Sequence, residues 1–105
     1  MQRVTFVLKL DRTGLPGNAA RMWLDTSGDD AIQAGEEVTL GTVDAKLWVA
    51  QRDLPDPATG MQFLVKFIAP VDTKWSFTAR SDTTALFEAA GQMTSTKETL
   101  VGRLS

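Results

Sequence analysis

Regular alternation of apolar and polar side chains over residues 60–80 is the feature that most constrains the fold of this chain. Successive side chains of a β-strand point to opposite faces, so a period of two predicts strands with one face in a core. The apolar positions are Phe63, Val65 and Phe67 before a short break, and Trp75, Phe77 and Ala79 after it. Because Pro70 lies in the break, the sequence predicts two strong strands joined by a turn as a hairpin.

Comparable short stretches occur through the rest of the chain and predict further strands. They cover Val4–Leu10, Ala20–Leu24, Glu36–Leu40, Val43–Arg52, Ala85–Ala90 and Lys97–Leu104. Segments rich in turn formers separate them, namely Asp11–Asn18, Asp25–Gly35 with at most one helical turn at Asp30–Ala34, Asp53–Gly60 and Ser81–Thr84. Seven or eight short strands without an amphipathic helix predict an all-β fold, an antiparallel, immunoglobulin-like β-sandwich. At 105 residues, 1–105 is expected to form a single domain.

The same periodicity assigns the tryptophans to faces. If Val43–Arg52 is one strand, Val43, Ala45, Leu47 and Val49 share the core face, which places Trp48 on the solvent face. Trp23 shares its strand face with the charged Arg21 and Asp25, so it is also placed toward solvent, whereas Trp75 is in register with Phe77 and is expected to face the core. The predicted core comprises Phe6, Leu8, Leu47, Val49, Phe63, Val65, Phe67 and Phe77.

The chain contains neither cysteine nor histidine. Thiolate nucleophiles, zinc sites of the Cys/His type and imidazole acid–base catalysis are therefore excluded. A serine or threonine nucleophile would then require a lysine base, and no Ser-x-x-Lys pattern precedes a helix. We expect a protein that is not an enzyme, has no catalytic residues and uses no cofactor.

Charge and hydropathy limit the partners and the location. The formal net charge is -2 and the basic residues are scattered, so we expect neither a nucleic acid nor a membrane as partner. The first residues already alternate like a strand instead of forming the apolar run of a secretory signal. The expectation is a soluble protein that is cytoplasmic if the chain is full length.

The segment around residues 25–30 is acidic and contains Asp25, Asp29 and Asp30. Carboxylate oxygens of this kind are ligands that calcium accepts. The alternating acidic spacing of a strong calcium loop is missing, so we expect a solvated loop without a metal.

One part of the sequence resembles a known family. A strand that carries Trp48 and ends in Leu54-Pro55 is followed by Phe63-Leu64-Val65-Lys66-Phe67-Ile68 and then by Trp75. Over Leu47 to Trp75 this order is similar to the second half of the starch-binding modules of carbohydrate-binding family twenty and their relatives. The resemblance implies a β-sandwich that binds starch or related glucans. It matches Trp48 to a sugar-stacking tryptophan of the family's second site, and Lys66 and Trp75 to the lysine and one tryptophan of its first site.

Two functions are therefore open. The first is a non-catalytic module that binds an oligosaccharide through Trp48, Lys66 and Trp75, with Trp23 as a possible addition, by ring stacking and hydrogen bonds to hydroxyls. The alternative is an immunoglobulin-like protein–protein interaction domain, in which Trp48 and Trp23 anchor a partner or a homodimer, or a sheet edge pairs with another chain.

Overall fold

Nine β-strands make up most of the computed structural model, which describes residues 2–12, 18–29, 31–44, 46–55, 60–82 and 84–105. The strands are β1 Gln2–Leu10, β2 Ala19–Leu24, β3 Glu37–Val38, β4 Gly41–Asp44, β5 Leu47–Leu54, β6 Gln62–Ile68, β7 Lys74–Ser81, β8 Thr84–Gln92 and β9 Lys97–Arg103. The helical structure of the described residues is one 3-10 turn, Ala34–Glu36. No helix among them is long and apolar enough to cross a membrane.

The strands form two antiparallel sheets. One sheet has five strands in the order β4-β5-β1-β7-β8, and the other has four in the order β3-β2-β6-β9. Every strand pair is antiparallel. The predicted fold class, an all-β antiparallel sandwich, is confirmed, although the number of strands exceeds the seven or eight expected.

The strands predicted to form a hairpin, β6 and β7, do not pair with each other. β6 pairs with β2 and β9 in one sheet, and β7 pairs with β1 and β8 in the other. Their connection turns through Asp72, whose φ is 72°. The two aromatic faces therefore meet across the core, with ring centroids 5.4 Å apart for Phe63 and Phe77 and 5.4 Å apart for Phe67 and Trp75. Facing strands bury these side chains between the sheets, which side-by-side pairing on a single sheet would not achieve.

The predicted single strand Val43–Arg52 is a hairpin of β4 and β5. Its turn is closed at Lys46, whose backbone N–H donates to Asp44 Oδ1 at 2.7 Å. A turn breaks the period of two, so the faces assigned across it are inverted in β5. Trp48 pairs with Leu8 of β1 and points into the core, whereas Val43 is 64% exposed. The predicted solvent placement of Trp48 is therefore wrong.

The core lies between the two sheets and contains six of the eight residues predicted for it. Phe6, Leu8, Phe63, Val65, Phe67 and Phe77 are buried. Leu47 and Val49 are only half-buried because they share the outer face of their sheet with Lys9 and Val7. Their places are taken by Trp48 and Ala50, which are buried.

The segment before β4 also differs from its prediction. The strand predicted at Glu36–Leu40 shrinks to Glu37–Val38, and the helical turn lies at Ala34–Glu36 instead of Asp30–Ala34. Its position follows from Glu36, whose carboxylate accepts the backbone N–H groups of Gln33 and Ser27, each at 3.0 Å. Predictions that concern residues 13–17, Asp30, Ala45, residues 56–59 and Thr83 fall outside the described residues.

Candidate functional site

The outer face of the four-stranded sheet is the candidate site, and we call it the basic face. Alternate residues of β2 and β6 face the core, where Met22, Leu24, Phe63, Val65 and Phe67 are buried, so the intervening side chains point away from the core. Three neighbouring strands supply most of this face. Its members are Ala19, Arg21, Trp23, Glu37, Gln62, Leu64, Lys66, Ile68, Lys97, Thr99, Val101 and Arg103.

Cross-strand register brings these side chains into rows. Trp23 lies opposite Leu64, which in turn lies opposite Val101. In the next row Arg21 lies opposite Lys66, and Lys66 lies opposite Thr99. Side chains in such rows are within contact distance, so residues far apart in sequence form one continuous surface.

Two cations lie beside the indole ring of Trp23. The Arg21 guanidinium carbon is 4.9 Å from the ring centroid, and Lys66 Nζ is 5.7 Å from it. Both distances are within the range of about 6 Å at which the ring quadrupole attracts a cation. Trp23 remains half-buried at this position. The ring and the two cations form one polar and aromatic cluster on the open sheet.

Glu37 fixes the arginine of this cluster. Arg21 Nε donates to Glu37 Oε2 at 2.9 Å, and Arg21 Nη2 donates to Glu37 Oε1 at 2.7 Å. This two-pronged pair lowers the pKa of the Glu37 carboxyl and raises the pKa of Arg21, chiefly through the hydrogen bonds. Both groups stay charged at neutral pH, and Arg21 is held over the indole before any ligand arrives.

The basic face carries an excess of positive charge on a chain whose net charge is -2. Four cations, Arg21, Lys66, Lys97 and Arg103, share it with one carboxylate, Glu37. Among the described residues, Lys66 and Lys97 have no ion-pair partner. The face is therefore able to attract acidic groups.

Apolar side chains are exposed between the cations. Ile68 is 43% exposed and Val101 is 54% exposed. A shallow groove of about 390 Å³ runs along this region, and its lining includes the cations Arg21, Lys66 and Lys97, the carboxylate Glu98, and Ala19, Ile68 and Thr99. Apolar surface between charged rims is typical of a surface that binds another molecule.

The four residues predicted to bind a ligand do not form one site. Trp23 and Lys66 are together on the basic face. Trp48 is 4% exposed and belongs to the core side of the other sheet. As its strand register predicted, Trp75 faces the core, where its ring packs edge-on against Phe67.

Trp75 lies in β7 of the five-stranded sheet. Its half-buried ring borders a groove of about 340 Å³ that is also lined by Lys9, Asp11, Lys74 and Ser76. The indole Nε1 is buried and has no hydrogen-bond partner within the described part of the chain. This groove is on the five-stranded sheet, whereas Lys66 lies on the outer face of the four-stranded sheet.

No family model and no curated protein matches the chain. A solved structure with a similar fold is the crystal structure of a domain of unknown function, DUF4425, from Bacteroides vulgatus. The TM-score is 0.51 at 9% sequence identity, and the match covers 97% of this chain and 94% of that chain. At this identity the likeness shows the fold alone.

Sequence reasoning did not identify Arg21, Glu37 or the outward residues of β9 as parts of the site. Arg21 was recognisable as a same-face neighbour two residues before Trp23. The contribution of β9 depends on its pairing with β6, a strand about 35 residues earlier, which no local pattern reveals.

The acidic loop brings together the carboxylates of Asp25, Asp29 and Glu36, whose oxygens lie within 4.8 Å of one another. Asp25 is only 5% exposed and accepts hydrogen bonds from Ser27 Oγ at 3.2 Å and from the Gly28 backbone N–H at 3.1 Å. These bonds hold the loop in its conformation. Asp30, the third acid named from the sequence, is outside the described residues, and the absence of a metal stays a prediction.

Proposed function

We propose that this protein is a non-catalytic β-sandwich module that binds an acidic segment of a partner protein on its basic face. The observation that supports this proposal is the Trp23 ring with Arg21 at 4.9 Å and Lys66 at 5.7 Å on an open sheet. Tryptophan and arginine are the residue types that most often dominate the binding energy of protein interfaces.

The residues around Trp23 provide the apolar area and the charged rim that protein interfaces usually have. Ile68 and Val101 offer apolar area to the partner, and beside them lie Lys66 and Lys97, which form no ion pair with any described residue. Charges at the rim accelerate association with an oppositely charged molecule, while the aromatic anchor provides affinity. Glu37 holds Arg21 in place, which reduces the side-chain entropy lost on binding.

A short poly-L-glutamate peptide is a suitable probe of this proposal. We expect saturable amide shift changes in 15N-labelled protein, concentrated on β2, β6 and β9, and weaker binding as salt is added. Poly-L-lysine of the same length is the control ligand. Absence of a saturable change, or changes spread evenly over both sheets, contradicts the proposal.

Charge reversal at two lysines distinguishes binding at the basic face from attraction by the net charge of the protein. Lys66→Glu is expected to weaken binding of poly-L-glutamate at least about 5-fold, since it removes a cation beside Trp23 and adds a repulsive charge. Lys46→Glu changes the net charge equally in the exposed turn between β4 and β5 and should have less effect. Equal effects of the two variants would assign the binding to net charge alone.

An oligosaccharide is the second candidate ligand. It is favoured by the proximity of Trp23 and Lys66, two of the four residues expected from the sequence to contact sugar. An indole can stack on a pyranose face while the ammonium donates to hydroxyls. Titration with maltoheptaose, followed by amide shifts, tests this candidate. No saturable change at millimolar sugar, or a change that persists in Trp23→Ala, rules out this surface as a glucan site.

A further inference from the structure

Four strands form the edges of the two sheets, and three of them have features that hinder pairing with another chain. β3 has two residues, and the register of β4 is irregular between Thr42 and Asp44. In β9 the Lys97 carbonyl accepts a hydrogen bond from Ser95 Oγ at 2.7 Å, and the Glu98 carboxylate accepts the Thr99 backbone N–H at 3.2 Å. Short length, bulges and charged edge residues are the usual means of blunting a sheet edge.

The remaining edge strand, β8, spans nine residues; its register with β7 shifts between Ala79 and Arg80, and residues 87–92 beyond that shift pair regularly with β7 and are open on their other side. The Met93 backbone N–H donates to the Thr73 carbonyl at 2.8 Å. Alternate residues of an antiparallel strand bond the same neighbour, so every second residue of β8 counted back from Met93 bonds β7. It follows that Glu88, Ala90 and Gln92 direct their N–H and C=O groups away from β7. All three residues are exposed, and no described strand lies on that side.

The open part of β8 begins after Leu86, where the last residue of the chain covers the strand edge. Ser105 covers the Leu86 carbonyl, to which its backbone N–H and its Oγ both donate at 3.0 Å. Beyond that point, among the described residues, the side-chain contacts of the open residues run to their own sheet or its turn. Arg80 donates to Glu88 Oε1 at 2.9 Å, and Gln92 Nε2 donates to Asp72 Oδ1 at 3.3 Å. The backbone N–H and C=O groups of Glu88, Ala90 and Gln92 are therefore the part of this edge that is available for pairing.

We propose that a second copy of this chain pairs with β8 in an antiparallel manner about a two-fold axis at Ala90, so that the two five-stranded sheets become continuous. In this register Ala90 lies opposite its own copy, and Glu88 lies opposite Gln92 of the other copy. Each of these pairs exchanges two backbone hydrogen bonds. The same patch is used on both copies, as a two-fold interface requires.

The side chains of β8 favour a second copy as the occupant. Across the axis the Gln92 amide can donate to the Glu88 carboxylate, and the small Ala90 side chains meet without like charges. If β9 instead paired antiparallel with its own copy about the middle of the strand, Lys97 would lie opposite Arg103, and the two positive charges would repel each other. β8 belongs to the sheet that does not carry the basic face, so this inference is independent of the proposed function.

Sedimentation velocity over micromolar to millimolar protein tests the inference, and we expect a concentration-dependent dimer. Ala90→Pro removes an outward N–H that β7 does not use, so it should give a monomer with an unchanged far-UV CD spectrum. Val101→Pro is the matched control at an open position of the β9 edge and should retain the dimer. A wild-type monomer at millimolar concentration, or a dimer lost in Val101→Pro and kept in Ala90→Pro, overturns the proposal.

Two substitutions at Gln92 test the register without relying on proline. Gln92→Lys places a cation opposite Glu88 twice per dimer and should tighten the dimer about 2- to 30-fold. Gln92→Glu places like charges opposite each other and should weaken it by a similar factor. Equal dimer affinities for the two variants overturn the proposed register and, with it, the pairing about Ala90.

Discussion

The indole rings of Trp48 and Trp23 differ in their surroundings, and this difference predicts different costs of removal. Trp48→Ala creates a cavity beside Leu8, so it should lower the free energy of unfolding by about 3–5 kcal/mol. Trp23→Ala removes a half-buried ring and two cation contacts, and about 1 kcal/mol or less is expected. Urea unfolding followed by far-UV CD measures both. A larger loss for Trp23 than for Trp48 would contradict the assigned faces.

Gly91 in β8 is a second position where a single side chain decides the packing. A Cβ at this position would lie 2.8 Å from Cζ2 of Trp75, whose ring covers the glycine. Gly91→Ala should therefore destabilise the protein by about 1–3 kcal/mol, because the indole must move.

Gly35→Ala is the control for Gly91→Ala. Nothing lies within 4 Å of a Cβ at Gly35, so alanine should be neutral there or stabilise by about 0.4–1 kcal/mol through the unfolded state. Thermal unfolding of the two variants compares them directly. Equal melting temperatures would show that Trp75 does not pack on Gly91.

Among the elements, the acidic loop and the neighbouring strand β3 make stability depend on pH. The pKa of Asp29 is lowered chiefly by the Ser27 side chain, that of Glu36 by the Ser27 backbone N–H, and that of Glu37 by Arg21. A carboxyl with a lowered folded pKa stabilises the fold above its unfolded value and loses that contribution as pH falls through the folded value. Stability should thus be constant near neutral pH and decrease below about pH 4.5.

Urea midpoints between pH 7 and pH 3 measure this dependence. Glu36→Gln should flatten the acid limb of the curve, because glutamine does not titrate and accepts the Ser27 and Gln33 N–H groups as a neutral acceptor at every pH. A stability that rises below pH 4.5 would contradict the predicted direction.

At the level of strands, the sequence predicted what is local and failed where the answer depends on distant partners. Alternation correctly located β1, β6 and β7 because each exposes one face to the core. It could not show that β6 and β7 belong to different sheets, since a five-residue connection permits either arrangement. The turn after Asp44 inverted the face of Trp48, because turn residues interrupt the period of two.

The candidate site was less predictable than the fold for the same reason. The contact of Trp23 with Arg21 joins residues two positions apart on one strand, which alternation can anticipate. Lys66 reaches the same ring from a strand more than 40 residues later. Only the register between β2 and β6 brings the two into one cluster.

For the whole molecule, the central position of β1 predicts slow folding. Val4 pairs with Arg52 on one side and with Ser81 on the other, so the five-stranded sheet is assembled from segments far apart in sequence. Chains dominated by such pairings fold in about milliseconds to seconds. Stopped-flow CD after dilution from urea should find a main refolding phase in that range, and a microsecond phase that recovers the full signal would contradict it.

The three tryptophans lie in different surroundings, so their fluorescence can report on different parts of the molecule. Trp48 is enclosed in the core, Trp75 packs against Phe67 with its N–H buried, and Trp23 lies on the outer surface beside two cations. Emission on the blue side should therefore come from the first two and report global unfolding. Red-side emission should come from Trp23, so the wild-type spectrum minus that of Trp23→Phe would isolate the fluorescence of the basic face.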